Sequence, residues 1–252
     1  MTIDNCASIV ERGDPDRFLA VMAAPVQARA RLLPLYAFNL EVAKAPWVTK
    51  EPMIAEMRLQ WWRDVVAEQR SRAHEVATPL HDLIVSAKLP LDVLDRLVEA
   101  RRWDIYQEPF ADQTAFDAYL EDTGAGLTWL AARALGAADT DERAVRAYGW
   151  AAALAKFLCA VPTLEERGRI PLVDGRPAAV QHLASRGLIR LNEARRAGVS
   201  KQSRAALLAG WQTEALLRLA AQDPAAVAED RLKLSEFAKR GKLLWQSLTG
   251  QF

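Results

Sequence analysis

The sequence predicts an all-α, single-domain helical bundle built around a central cavity. Three observations carry that expectation. Apolar residues recur at spacings of three and four along nearly the whole chain. Prolines stand where helices should start, as at Pro25 and Pro52. Glycine and proline are scarce, at 12 each in 252 residues, which suits long helices. No alternating strand pattern, internal repeat or low-complexity tract competes with this reading.

Residues 1–16 read as an N-terminal arm and 17–252 as the domain. Pro25 opens a segment running to Lys44, with Pro34 expected to kink it. Pro52 opens the next (PMIAEMRLQWWRDVVAEQ), where Met53, Met57, Trp61 and Val65 form an i, i+4 stripe. Further helices are expected over 79–87, 91–106, 114–135, 141–160, 177–196, 203–221 and 231–248. Gly136, Gly149, Gly168 and Gly198 mark expected ends or bends. The stretch Thr163 to Arg176 (TLEERGRIPLVDGR) reads as the one long polar loop of the second half.

Composition excludes several classes. With 51% apolar and 26% charged residues the chain is globular rather than disordered. A formal net charge of +1 lacks the basic excess that nucleic-acid binding requires. The N-terminal MTIDNCASIVERGDPDR is too polar for a signal peptide. The most apolar run, Tyr148 to Val161, is short for a membrane span and is interrupted by Lys156. The expectation is therefore a soluble, cytoplasmic chain with no transmembrane span, peripheral membrane contact remaining open. Cys6 and Cys159 are far apart in sequence and read as reduced thiols. His74, His81 and His182 show no metal-ligand spacing, and no G-x-S-x-G nucleophile motif is present.

Four segments point to a family. They are RLLPLYAFNLEVAKAPW (31–47), EMRLQWWRD (56–64), YLEDTGAGLTWLAARALG (119–136) and LAKFLCAVPTLEERGRIPL (154–172). In order and spacing they resemble the squalene/phytoene synthase family, which implies an isoprenoid-synthase-like domain over 17–252. Active members carry two D-x-x-x-D motifs on facing helices, because Mg²⁺ needs oxygen ligands and i, i+4 carboxylates share one helical face. Carried over from Tyr36-Ala37-Phe38 and from Arg167-Gly168-Arg169, those aspartates should fall at Ala43, Trp47, Ala160 and Leu164. None of these residues offers a side-chain oxygen, and D-x-x-x-D occurs nowhere in the chain.

The resemblance implies a catalytically silent relative that needs no cofactor. The branch it most resembles includes the mitochondrial complex I assembly factor that carries this domain, which implies a protein partner in membrane-complex assembly. A cavity holding an isoprenoid or lipid without chemistry is the second reading. The alternative is an active prenyltransferase condensing prenyl diphosphates with Mg²⁺. Candidate ligand contacts are Tyr36, Asn39 and Glu41 on the first-motif helix, with Arg167 and Arg169 as an anion site or as arginines paired to Glu165, Glu166 or Asp174. Of the tryptophan pair, Trp61 is expected in the core and Trp62 at a partner surface.

Overall fold

The computed structural model describes residues 3–68 and 72–250, and among these there is no strand. The helices are α1 (Ile3–Gly13), α2 (Pro15–Ala23), α3 (Val26–Lys44), α4 (Pro52–Ala67), α5 (Ala77–Ala87), α6 (Leu91–Ala100), α7 (Gln113–Leu120), α8 (Gly126–Ala134), α9 (Glu142–Glu166), α10 (Pro177–Ala197), α11 (Lys201–Leu207), α12 (Thr213–Gln222), α13 (Ala225–Ala228) and α14 (Glu236–Thr249). Pro15, Pro52 and Pro177 occupy first turns, where a missing N–H costs nothing. Asp14 caps α2 by accepting a hydrogen bond from the Arg17 N–H at 3.0 Å.

The core is organised around α9, which packs against α8, α10 and α12. Its most apolar stretch, within 139–166, is long and apolar enough to cross a membrane, but 61% of that window is buried inside the protein. On the other side α3 packs against α1, α5 and α8, and α4 lies on α6. The segment read as an arm is thus largely helical, and its Cys6 and Val10 are fully buried.

Several boundaries moved for identifiable reasons. α9 runs through Pro162 to Glu166, so the irregular loop begins only at Arg167. The expected helix over 114–135 is continuous but widens into a π-helical turn at Glu121–Ala125, which joins α7 to α8. The expected helix over 203–221 breaks at a 3-10 turn, Leu208–Gly210, where a side chain on Gly210 would meet the Tyr148 ring at 2.8 Å. The 91–106 helix tightens into a 3-10 turn at Arg101–Asp104. The last helix starts at Glu236, not 231, because Ser235 caps it by accepting from the Ala238 N–H. Gly149 neither ends nor bends a helix. It is a notch in α9, where a β-carbon would sit 2.7 Å from Thr128 Oγ1 and 2.8 Å from Ala125 Cα.

Only half of the expected α4 stripe faces the core, since Val65 is buried and Trp61 packs against the core but Met53 and Met57 turn outward. Ala55, Leu59, Trp62, Val65 and Val66 are buried, while Met53 and Met57 are 75% and 66% exposed. Trp62, expected at a surface, packs edge-on against Phe38 at 5.4 Å, and Trp61 is the half-buried neighbour. Gln69, the end of the expected helix, lies outside the described residues.

Candidate functional site

A cavity of ≈ 390 Å³ opens where α2, α3, α8, α9, α12 and α14 converge. Small residues make the space. Gly124, Gly149, Ala152, Ala153, Ala209 and Gly210 line it where larger side chains would fill it. The Tyr36 and Tyr148 rings and Leu127, Leu216, Leu232 and Leu234 give it an apolar interior. Burial pushes the Tyr36 phenol up to about 12 against the opposing influence of Arg17, and raises Tyr148 further. Tyr148 donates to the Leu207 carbonyl at 2.8 Å, so both tyrosines stay neutral.

One end is charged. Lys156 on α9 donates to Asp14 Oδ2 at 2.6 Å, and Arg17 pairs with the same carboxylate at 3.3 Å while lying 4.9 Å from the Tyr36 ring centre. Gln212 donates to Asp16 at 2.7 Å, and Lys239 of α14 approaches Asp16 at 3.8 Å. Burial alone would raise the Asp14 pKa, but Arg17 and Lys156 outweigh it and hold the carboxyl at about 2. Desolvation, then repulsion from Arg17, lowers the Lys156 pKa despite Asp14. The two directions agree physically. Asp14 gains from two cations, whereas Lys156 loses hydration and shares its partner.

The expected metal positions are scattered relative to this cavity. Ala160 lines it, whereas Ala43, Trp47 and Leu164 are half-buried elsewhere. The donor set does not fit a Mg²⁺ cluster. No replacement carries an oxygen ligand, and the acids at this end are already committed, Asp14 to Lys156 and Arg17 and the cavity-lining Asp16 to Gln212 and Lys239. Among the described residues no group of three or more His, Cys, Asp or Glu could hold a metal ion.

Of the five candidate ligand contacts only Tyr36 lines the cavity. Asn39 is buried and its Oδ1 has no hydrogen-bond partner among the described residues. Glu41 lines a separate surface pocket with Lys44, Arg58, Trp61, Trp62 and His74. Among the described residues Arg167 and Arg169 neither line the cavity nor pair with Glu165, Glu166 or Asp174. Both close on Trp47, their guanidinium carbons 4.7 and 5.9 Å from its ring centre. Arg169 is buried, stacks over Trp103 at 4.4 Å and donates to the Trp103 carbonyl. Asp174, the acid proposed for the loop, pairs with Arg176 instead. Contacts between aromatic rings and arginines thus tie together the two segments in which metal ligands were expected from the sequence.

Arg17, Lys156, Lys239 and Tyr148 went unnoticed as site residues in the sequence. The available signal was Lys156, a lone charge in the most apolar helix. Cys159 also lines the cavity, but burial pushes its thiol up to about 11 and its Sγ donates to the Leu232 carbonyl, so it is no nucleophile at neutral pH.

The profile of the squalene/phytoene synthase family matches residues 10–173. The chain belongs to that family. Among solved structures, a dehydrosqualene synthase crystallised with a ligand superposes with a TM-score of 0.80 at 14% identity, covering 98% of this chain and 95% of that one. Squalene synthase HpnC from Alicyclobacillus acidocaldarius gives 0.73 at 18% identity, covering 87% and 93%. These likenesses show the isoprenoid-synthase fold. Among proteins similar in sequence, the Drosophila melanogaster homolog of NADH dehydrogenase (ubiquinone) complex I assembly factor 6 is 29% identical over 196 residues, 74% of this chain and 58% of that protein. The Homo sapiens assembly factor 6 is 24% identical over 137 residues, 53% of this chain and 41% of its own length. The chain therefore spans about half the length of these relatives.

Proposed function

We propose that this chain is a non-catalytic family member that acts as an assembly or scaffold factor for a membrane-bound respiratory complex of the complex I type, working at the cytoplasmic face of the membrane. The observation that carries the reading is the fate of the metal site. Ala43, Trp47, Ala160 and Leu164 stand where carboxylates are needed, and Trp47 is locked by Arg167 and Arg169. A prenyl diphosphate can be ionised only if its leaving group is neutralised, and the residues present do not assemble the magnesium ions that do this. The relatives named as complex I assembly factors support the partner class.

Two experiments test it. Pure protein incubated with Mg²⁺ and a fifteen- or twenty-carbon prenyl diphosphate should give no product. Product formation would revive the prenyltransferase alternative, with Mg²⁺ as its cofactor. Deleting the gene should deplete assembled complex I and NADH:ubiquinone activity in isolated membranes while sparing the other respiratory complexes. Normal complex I would overturn the assembly reading. A second reading, that the cavity holds an isoprenoid or other lipid, is favoured by its apolar interior beside a cationic end and by a volume of ≈ 390 Å³, within the usual range for ligand pockets. Binding without turnover supports it.

A further inference from the structure

Helix α14 turns its apolar side outward. Phe237 is 91% exposed, Leu244 61%, Trp245 62% and Leu248 76%. At about 100° per residue, Phe237, Leu244 and Leu248 fall within roughly 40° of one another, with Trp245 about 60° further round. Gly241 lies inside the same stripe and adds no side chain. Leu243, the buried residue of this helix, points the other way, where α14 packs on α2 and the Leu208–Gly210 turn. Arg240 borders the stripe on one side and Lys242 on the other, and neither makes an ion pair among the described residues. The inner side is different in kind. Lys239 there pairs with Glu236 at 3.0 Å and lines the central cavity.

From this arrangement we infer that α14 is a docking helix for an anionic lipid bilayer. An exposed row of aromatic and aliphatic side chains framed by cations is what an interfacial helix presents: the apolar row enters the acyl boundary, and the cations meet lipid phosphates. Trp245 is suited to the headgroup level, where an amphipathic ring finds both environments. Charge decides between a bilayer and a second copy. The stripe itself holds no acid, and the acids nearest its borders are already paired, Glu236 with Lys239 and Glu214 with Arg195 and Arg218. An isologous contact would therefore offer Arg240 and Lys242 no uncommitted counter-charge, whereas an anionic membrane supplies it. Because Lys239 and the preceding Leu232, Lys233 and Leu234 line the cavity, docking through α14 sets the cavity wall beside the lipid. The inference rests on the reading that the chain works at a membrane, but vesicle binding is measured without any respiratory complex, so the two can fail separately.

Flotation of the full chain with phosphatidylcholine vesicles, with and without phosphatidylglycerol, tests it. The wild type should float with the anionic vesicles and weakly with the neutral ones. Phe237→Glu with Trp245→Glu should reduce anionic binding at least tenfold, while Met53→Glu with Met57→Glu on α4, an equally exposed apolar pair, should not. Arg240→Gln with Lys242→Gln keeps the apolar row and should lower the preference for anionic over neutral vesicles. Thermal melts of all variants should match the wild type, since every changed side chain lies outside the core. Failure of the wild type to float would overturn the inference, as would binding that survives Phe237→Glu with Trp245→Glu. A wild-type dimer in light scattering that this variant makes monomeric would also overturn it and assign the stripe to a second copy.

Discussion

Asp14 should be a charge on which the stability of the protein depends. Its carboxyl is held at about 2 against an ordinary 3.8 and its side chain is 17% exposed, so solvent screens the network little. That depression corresponds to about 2 kcal/mol of stability. Asp14→Asn removes the charge but can keep the cap on α2, and should cost about 2 kcal/mol at neutral pH. Asp14→Ala also loses the cap and should cost about 3 kcal/mol. Either change leaves Lys156 and Arg17 facing each other without their shared anion. Adding Lys156→Met to Asp14→Asn should therefore restore at least half of the loss, because a buried pair replaced whole costs less than one broken in half. The pH dependence has a fixed sign. The unfolded chain takes up the proton first as pH falls, so the Asp14 contribution is complete above about pH 4 and is lost on acidification towards about pH 2. Asp14→Asn should lack that part of the acid slope. Urea denaturation followed by circular dichroism, at neutral pH and in steps down to acid, measures all three variants. If Asp14→Asn stays within about 0.5 kcal/mol of wild type with an unchanged acid slope, the network has no structural weight and the argument fails.

Other perturbations probe separate features. Gly149→Ala should lower stability by about 1–3 kcal/mol in calorimetry, because the new methyl meets the Ala125 backbone at 2.8 Å and α8 must move. Arg169→Ala should cost about 2–3 kcal/mol, since it removes the bond to the Trp103 carbonyl and two ring contacts from a buried site; Arg167→Ala, exposed on Trp47, should cost about 0.5–1 kcal/mol. Calorimetric titration with Mg²⁺ and a non-hydrolysable prenyl diphosphate should show no metal-dependent binding, and strong metal-dependent heat would count against the lost-site reading. Cys159 should react slowly with a disulfide reagent at neutral pH and accelerate only as pH approaches about 11, the value to which burial raises it.

The all-α class and most helix spans were legible because the 3.6-residue period runs through the chain, and Pro52 and Pro177 sit at true helix starts. The orientation of α4 was not, because the helix has two apolar stripes. Met53, Met57, Trp61 and Val65 form one, and Ala55, Leu59, Trp62 and Val66 form the other, with Val65 of the first buried alongside the second. Periodicity scores both. The choice was made by Trp62, whose ring finds Phe38 of α3, a partner that lies outside any local window. The expected metal positions rest on counting from Tyr36 and from Arg167, and the fold brings only Ala160 of the four to the cavity. What replaced the chemistry could not be read, since Trp47 meets Arg167 and Arg169 only after the chain has folded back across more than a hundred residues.

Lys156 shows how far a composition argument reaches. In the sequence it served only to interrupt an apolar run too short to cross a bilayer. In the fold that run belongs to a longer helix whose apolar window does meet the length and hydropathy of a span, so the interruption no longer decides the question. Its surroundings do. The helix carries Gly149, against which Thr128 and Ala125 of the neighbouring segment pack, and one turn before Ala160 it carries a lysine satisfied by Asp14 from 142 residues away. A helix facing lipid has no use for a notch cut to fit one neighbour, and its lysine would have to reach the interface to find an anion. Here the anion is delivered by the cap of α2. The residue that looked like a flaw in an apolar helix is the point at which the N-terminal helices are fastened to the core, at the charged end of the central cavity.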